Sequence, residues 1–373
     1  MWLGRSSKPA GVALMIAILT LAASRLRIVI AMPSDDIPRP DGLSSSLLQT
    51  GTVSVLGYVA CPPGAAKAAT CRSIRVSCAG LTDLDATLAV AVPGGNPSGT
   101  IVMLDGGSGT AFLNSGFPDI YVADRFQVVQ LAWHSNWADA GGAGVKSAAC
   151  RPATVLQFVY NVVQGGSPAT GFCGQGISGG GAAFAYSLTH YGMSNLLDYV
   201  AIAAGPGVAR MDYGCDPALY TGPPRNLCPL LPSAPFAYRN GTLVNTWEKT
   251  TACATPNPAP SDIQRWTADS IVSAGANYTY PNTALSWFFC VTPQSLNEST
   301  GQGTFFIEQA IPKNSPPDVN CYSGKCQAEA VWTDPSAFNI TLSEMLAQCK
   351  PNHQGLQQAV NPLGELNGGH GEE

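Results

Sequence analysis

Residues 176–180 have the sequence GISGG and match the pattern G-x-S-x-G around Ser178. The preceding residues, 170–173, have the apolar character of a strand, and residues 178–191 have the character of a helix. At such a strand-to-helix turn a serine is held with its hydroxyl exposed, and the start of the helix points N–H groups toward a developing oxyanion. The pattern therefore predicts that Ser178 is the nucleophile of an acyl-transfer reaction.

A second glycine-rich segment, residues 104–109 with the sequence LDGGSG, follows the apolar run 100–104. A loop after an earlier strand of the sheet supplies the remaining oxyanion donors beside such a serine. We expect the backbone N–H groups of Gly107, Ser108 and Gly179 to form an oxyanion hole. The alternative interpretation is a plain glycine-rich turn.

A nucleophilic serine needs a base within hydrogen-bonding distance. The sequence contains four histidines, at positions 134, 190, 353 and 370. His190 lies three turns along the predicted helix from Ser178, and His134 precedes the serine in the chain. We therefore predict His353 as the base, with a surface histidine as the alternative at that position; His370 lies in the tail.

The acid that orients the base has two candidates, because the chain order of such triads is serine, acid, histidine. Asp318 follows the apolar segment 304–307, which we interpret as a strand, and it is the predicted acid. Asp212 follows the apolar segment 199–204 and is the alternative. Arg210 stands beside Asp212, so a structural ion pair is a second interpretation of that carboxylate.

Three glycines of the same region also satisfy the dinucleotide-binding pattern G-x-G-x-x-G, namely Gly174, Gly176 and Gly179. That fingerprint requires an acidic residue at the end of the following strand to hold the ribose. Asp198 has about the right spacing but begins its strand. We therefore favour the serine interpretation and predict no cofactor.

The elements that must position these residues alternate between strands and helices, which predicts a mostly parallel sheet with helices on both faces. The alternation is interrupted over residues 210–300, which we interpret as an insertion that forms a lid held together by disulfides. The other predicted elements are an antiparallel pair at 73–78 and 86–92, strands at 100–104, 127–132, 170–173, 199–204 and 304–307, and helices from Pro152, over 178–191 and over 342–348.

The composition of the 373-residue chain excludes several functional classes. Apolar residues make up 45% and charged residues 12% of the chain, which is enough apolar surface for a large core and unlike a disordered chain. The net charge of −5 does not indicate the basic surface that a nucleic acid partner would require.

Both ends of the chain differ from the central part. Residues 1–31 combine a basic start with an apolar stretch and predict a cleaved signal peptide, with an uncleaved anchor as the alternative. We predict an N-terminal arm over residues 32–70, the folded domain over residues 71–350 and a flexible tail over residues 351–373. We predict a secreted protein without stable membrane association beyond the signal segment.

Twelve cysteines follow the signal segment, and an even number in an exported chain predicts disulfides. Cys321 and Cys326 are five residues apart, unlike the C-x-x-C spacing of zinc sites, so no metal is predicted. Four N-x-[ST] sequons predict a glycoprotein, at Asn240, Asn277, Asn297 and Asn339.

Several segments together resemble the α/β-hydrolase superfamily and, more narrowly, a set of secreted hydrolase-like proteins. The resemblance covers about residues 70–350 and implies an eight-stranded α/β-hydrolase fold with a Ser–acid–His triad, without defining a substrate. The matching segments are residues 128–133 (VVQLAW), 148–154 (AACRPAT), 173–180 (CGQGISGG), 185–188 (AYSL), 205–206 (GP) and 210–215 (RMDYGC).

Together these observations predict a secreted serine hydrolase that cleaves small or polymeric carboxylic esters. Trp133 and Trp137 follow a strand at the ligand-binding edge and are candidates for the wall of an acyl pocket, or for ordinary aromatic packing. Because no histidine has the usual position in the chain, a catalytically degenerate hydrolase-fold protein with a binding role is the alternative.

Overall fold

The computed structural model describes residues 47–222, 227–228, 241–290, 301–322 and 331–350. The predicted signal segment, the first part of the predicted arm and the tail after residue 350 lie outside these residues. Of the helices described, none is both long enough and apolar enough to cross a membrane.

The described strands form one mixed sheet of nine strands and a separate two-residue pair. The strands are β1 (Thr52–Val59), β2 (Thr70–Ser77), β3 (Leu84–Ala91), β4 (Gly99–Leu104), β5 (Phe126–Trp133), β6 (Gly171–Ile177), β7 (Tyr199–Ala203), β8 (Thr279–Tyr280), β9 (Ala284–Cys290), β10 (Ile311–Pro312) and β11 (Asp318–Tyr322). The order in the large sheet is β1-β2-β3-β5-β4-β6-β7-β9-β11, and β8 pairs with β10. Strands β1, β2, β3 and β5 pair antiparallel in succession, and all remaining pairs of the large sheet are parallel.

Helices cover both faces of the sheet, as predicted. The α-helices are α1 (Phe117–Ala123), α2 (Val145–Ala148), α3 (Cys150–Phe158), α4 (Gly179–Tyr191), α5 (Met211–Cys215), α6 (Gly241–Glu248), α7 (Pro260–Asp269), α8 (Gly301–Ile307) and α9 (Pro335–Gln348). Helices α3 and α4 pack on one face with Leu104 of β4, whereas α1 and α9 pack on the other face with Met103. Neighbouring residues of a strand point to opposite faces, so a strand buried on both sides has to be apolar throughout.

Most predicted elements are confirmed with shifted ends. The antiparallel opening pair corresponds to β2 and β3, and the predicted strands up to residue 204 correspond to β4, β5, β6 and β7. The late helix begins at Pro335, capped by the carboxylate of Asp334. These segments are predictable because an apolar period or a continuous apolar run can be recognised in the local sequence.

Three sequence predictions were wrong. The segment 304–307 belongs to helix α8 and is not a strand; all seven residues of α8 are buried, so its apolar run carries no period that separates helix from strand. The insertion predicted over 210–300 is shorter, because β9 lies within that range and pairs with both β7 and β11. The predicted N-terminal arm contains β1, which adds a ninth strand beside β2.

Five disulfides connect the described residues: Cys61–Cys71, Cys78–Cys150, Cys173–Cys349, Cys215–Cys253 and Cys228–Cys321. Cys290 is disulfide-bonded as well. The predicted use of cysteines for disulfides is therefore confirmed for these residues.

Candidate active site

Ser178 connects the end of β6 to the start of α4. Its backbone has φ 48° and ψ −109°, a conformation that is strained for any residue with a β-carbon. Two hydrogen bonds hold it: its N–H donates to the Ala203 carbonyl at 2.8 Å, and its carbonyl accepts from the Ala182 N–H at 2.9 Å. The residue is half-buried, so the turn places the serine at the end of the sheet rather than in the core.

The glycines around Ser178 are required by close backbone packing. A β-carbon on Gly176 would lie 2.7 Å from the carbonyl carbon of Gly180, and one on Gly180 would overlap the carbonyl oxygen of Leu104. A β-carbon on Gly179 would overlap the carbonyl oxygen of Gly107. The small residues of the motif therefore let β6, α4 and the loop after β4 meet at one point.

The strand order and this turn together define the architecture. Strands β4 and β6 are parallel neighbours, with Leu104 opposite Gly176, so the loop after β4 and Ser178 lie at the same edge of the sheet. A strained serine between a central strand and a helix, beside a glycine loop from an earlier strand, is the arrangement of the nucleophile elbow. The chain has the α/β-hydrolase fold.

The predicted oxyanion residues of this hydrolase fold lie together. A β-carbon on Gly106 would be 3.4 Å from the β-carbon of Ser178, and Gly107 is exposed with φ 57°. The Gly109 N–H donates to the Gly106 carbonyl at 2.9 Å and closes a tight turn. The N–H of Gly179 lies in the first turn of α4, where N–H groups have no acceptor within the helix, and the backbone of Gly179 packs against that of Gly107. The geometry is compatible with an oxyanion hole.

Asp105 joins β4 to this glycine turn and was not singled out by the sequence. Burial raises the pKa of its carboxyl group, and a hydrogen bond from the Gly106 N–H partly offsets that effect. The signal that could have identified it is its position directly after a central strand, at the edge where ligands bind in such sheets.

The two histidines that the structure describes have partners other than Ser178. His190 is 3% exposed, and its Nε2 lies 3.1 Å from the Ile271 carbonyl. Burial, followed by the positive charge of Lys146, lowers the pKa of His190 to about 4. His134 is exposed, with its Nε2 3.2 Å from the hydroxyl of Thr87. His353 and His370 lie outside the described residues.

Asp318 does not lie beside Ser178. It is the exposed first residue of β11. Across the sheet it is level with Ser286 of β9, which is level with Ala201 of β7, which in turn is level with Gln175 of β6. Asp318 is thus level with a residue three positions before Ser178 and three strands away, or about 14 Å at ordinary strand spacing. Because 304–307 is helical, Asp318 begins a strand instead of following one.

Asp212 is held by a structural ion pair. It is 3% exposed, and its Oδ1 accepts from Nε of Arg210 at 2.8 Å. Its Oδ2 accepts from the hydroxyl of Thr267 at 3.1 Å. The guanidinium of Arg210 also covers the ring of Tyr213, with 3.7 Å to the centroid. This geometry matches the second interpretation given for Asp212 in the sequence.

Asp198 caps the opposite end of the sheet. The residue is 1% exposed, and its Oδ2 accepts from the Phe172 N–H at 2.8 Å. It precedes β7 and is therefore far from the glycine turn at the end of β6. A ribose bound near Ser178 cannot reach this carboxylate, which removes support for the dinucleotide interpretation.

The two tryptophans after β5 are packed in the interior. Trp133 is 3% and Trp137 1% exposed, and Trp137 makes an edge-to-face contact with Trp247 of α6, with ring centroids 5.2 Å apart. A β-carbon on Gly109 would lie 2.9 Å from Cδ1 of Trp133. These rings pack against Gly109 in the loop after β4 and follow the packing interpretation.

Comparisons with known proteins find similar solved structures but no matching family. No protein-family model and no curated protein matches the sequence. Among solved structures, the chain is similar to a lipase in its open form, at 14% identity over 71% of this chain and 94% of that one, with a TM-score of 0.43. It is also similar to acetyl xylan esterase 1 from Thermoanaerobacterium sp. JW/SL YS485, at 12% identity over 79% and 88%, with a TM-score of 0.47.

A third similar structure is brefeldin A esterase, a bacterial homologue of human hormone-sensitive lipase, at 15% identity over 79% of this chain and 80% of that one, with a TM-score of 0.45. These neighbours are ester-cleaving proteins by name. The strand order and the turn at Ser178 define the fold of this chain.

Proposed function

We propose that this chain is a secreted serine hydrolase that cleaves carboxylic esters, small or polymeric, through an acyl-enzyme on Ser178. The observation that carries the proposal is the strained, half-buried Ser178 at the start of α4, packed against the glycine turn after β4. A strained backbone conformation persists only where the surrounding structure enforces it, and such conformations cluster at functional sites.

In the proposed reaction the Ser178 hydroxyl oxygen attacks the ester carbonyl while a base takes its proton. The carbonyl oxygen becomes an oxyanion that accepts hydrogen bonds from the N–H groups of Gly107, Ser108 and Gly179. The protonated base then gives its proton to the departing alcohol, and the same base activates water to release the acid. His353 is the proposed base. The placement of Asp318 and Asp212 leaves both outside this proposal.

A second candidate function follows from a specific observation. Within the described ranges, both histidines and the two predicted acids contact groups other than Ser178. A hydrolase fold without a base cannot activate its serine. The alternative proposal is therefore a secreted binding protein of the same fold.

Export to an oxidising compartment is part of both proposals. Five disulfides within the described residues support it, because such bonds persist outside the cytosol. Glycosylation is proposed at the four sequons; of these, Asn339 is exposed on α9 and Asn277 is half-buried before β8.

A fluorophosphonate probe separates the two candidate functions, since it forms a covalent bond only with an activated serine. The enzyme proposal predicts labelling of the wild-type protein, loss of labelling in Ser178→Ala, and normal labelling in the matched control Ser98→Ala, whose serine is exposed before β4. A folded wild type that stays unlabelled and cleaves no p-nitrophenyl ester would leave only the binding proposal.

A further inference from the structure

Arg151 is a buried guanidinium that donates its hydrogen bonds to backbone carbonyls. It is the second residue of α3, within the AACRPAT segment, and it is 3% exposed. Its Nη1 donates to the carbonyls of Trp137 at 2.8 Å and Asp139 at 2.6 Å, and its Nη2 donates to the carbonyl of Thr82 at 2.9 Å. Three charge-assisted bonds from one planar group fix their acceptors in direction as well as in distance.

The side chain of Asp139, whose negative charge acts on this guanidinium, is already engaged elsewhere. It forms an ion pair with Lys249 and accepts the Gly141 N–H at 3.2 Å. Burial lowers the pKa of Arg151, and Asp139 raises it by a smaller amount. A buried cation without a direct ion pair is unfavourable for stability alone, because its desolvation is only partly offset.

The two segments that accept hydrogen bonds from Arg151 differ in how far their positions depend on those bonds. Thr82 lies in the connection between β2 and β3, close to Cys78, which is already fixed to α3 by its disulfide to Cys150. The loop after β5 contains the other two acceptors, Trp137 and Asp139. This loop therefore depends more on the guanidinium than the connection before β3 does.

That loop in turn holds the glycine turn of the candidate site. The Trp137 N–H donates to the Ser108 carbonyl at 3.3 Å, and the Trp133 N–H donates to the Gly109 carbonyl at 2.9 Å. A carbonyl fixed at residue 108 fixes the plane of the peptide between residues 108 and 109. The turn from Gly106 to Gly109 thus takes its orientation from the loop that Arg151 clamps.

We infer that Arg151 is a positioning residue: through the loop of residues 134–139 it orients the oxyanion-binding turn at residues 106–109 toward Ser178. This inference rests on the proposed function and deepens it. Arg151 touches neither Ser178 nor a bound ester; it acts by keeping the N–H groups of Gly107 and Ser108 in the direction that a developing oxyanion requires. Such donors act mainly in the transition state, so their misplacement lowers kcat more than it raises KM.

The test compares Arg151→Gln and Arg151→Lys with two matched controls. Arg125→Gln removes an exposed guanidinium that also donates to a backbone carbonyl, that of Asn96 at 3.1 Å, at the opposite end of the sheet. Val159→Ala removes buried packing just after α3 without touching the loop. Reactive sites are counted by titration with a fluorophosphonate, and kcat and KM are measured per titrated site on a p-nitrophenyl ester.

We expect Arg151→Gln to lower kcat by about 10- to 100-fold with KM changed by no more than about twofold. Arg151→Lys keeps the charge but cannot bridge the same three carbonyls, so its kcat falls between the wild type and the glutamine variant. Val159→Ala lowers the urea midpoint of unfolding and leaves kcat per site unchanged, whereas Arg125→Gln leaves both quantities unchanged.

Three results overturn the inference or its basis, and they are distinguishable. A kcat per titrated site within about twofold of wild type in Arg151→Gln means that Arg151 is only a structural clamp. If the glutamine variant does not fold, an unchanged kcat in Arg151→Lys leads to the same conclusion. Absence of Ser178 labelling in the wild type refutes the proposed function itself, before any Arg151 variant is compared.

Discussion

Gly179 and Gly107 pack backbone against backbone: a β-carbon on Gly179 would lie 2.9 Å from the amide nitrogen of Gly107 and would overlap its carbonyl oxygen. This contact joins the turn that carries Ser178 to the turn that precedes Ser108. The two segments are more than 70 residues apart in the chain, and they meet because β4 and β6 are neighbours in the sheet. The geometry of the candidate site is therefore sensitive to a single added methyl group.

Gly179→Ala is expected to separate these two turns and to abolish labelling of Ser178 by a fluorophosphonate. The added methyl has no space, so we also expect a loss of about 1–3 kcal/mol in the free energy of unfolding. The matched control is Gly94→Ala, because a β-carbon there meets nothing within 4 Å and the backbone is not left-handed. Labelling rates and urea unfolding measure both effects; wild-type labelling of Gly179→Ala would contradict the described contact.

His353→Gln tests the proposed base. Loss of a triad member lowers kcat by about four orders of magnitude or more, so labelling and ester cleavage should both become undetectable by ordinary assays. His370→Gln, in the same tail, is expected to behave as the wild type. Full activity in His353→Gln would exclude this histidine as the base.

Asp212→Asn tests the structural interpretation of the Arg210–Asp212 pair. Because the pair is buried, the substitution leaves the guanidinium of Arg210 without its anion, and we expect a loss of about 3–5 kcal/mol in the free energy of unfolding. The labelling rate of the folded fraction should stay within about tenfold of wild type, since loss of an orienting acid would lower it about 10⁴-fold. Asp318→Asn, at an exposed position, should change neither quantity.

The free energy of unfolding should depend on pH through two buried groups whose effects run in opposite directions. Burial and the negative charge of Glu248 raise the pKa of Asp269 to about 7, against the effects of Lys146 and Arg265. The folded state therefore holds this proton while the unfolded state loses it, and stability falls as the pH rises from about 4 to about 7. His190, with a pKa of about 4, does the reverse: stability falls as the pH drops from 6.5 toward 4.

Single variants reveal the two effects separately. Asp269→Asn removes the carboxyl effect and leaves that of the histidine, so acidification from about pH 7 to about pH 4 should cost this variant about 1–3 kcal/mol more than the wild type. His190→Asn removes the histidine effect and leaves that of the Asp269 carboxyl, so the same acidification should raise the stability of this variant relative to the wild type. Urea unfolding at several pH values measures each slope. A profile of Asp269→Asn parallel to the wild type would show that this carboxyl ionises normally.

The sequence predicted the turn at Ser178 and the strands around it because each is encoded locally. The glycines at 176, 179 and 180 report close packing, and the continuous apolar runs of β4, β5 and β7 report burial on both faces. These glycines and apolar runs can be recognised without knowing which distant residues they contact.

The remainder of the site depends on distant pairing and was not predictable in this way. Residues 301–307 are buried on all sides, so nothing in their pattern distinguishes α8 from a strand. The expectation that Asp318 follows a strand came from this one error, because Asp318 in fact begins β11. The role of Arg151 is equally invisible in sequence, because its three acceptors are backbone carbonyls that any residue provides.

The disulfide between Cys173 and Cys349 joins the strand that ends at Ser178 to the last described helix, across a sequence separation of 176 residues. During synthesis Cys173 therefore emerges long before its partner and must remain a thiol, or exchange out of temporary pairings, until residue 349 has been made. The disulfide that fixes β6, the strand before Ser178, is therefore one of the last that can form. A product truncated before residue 349 would keep the serine motif but leave Cys173 without its disulfide partner.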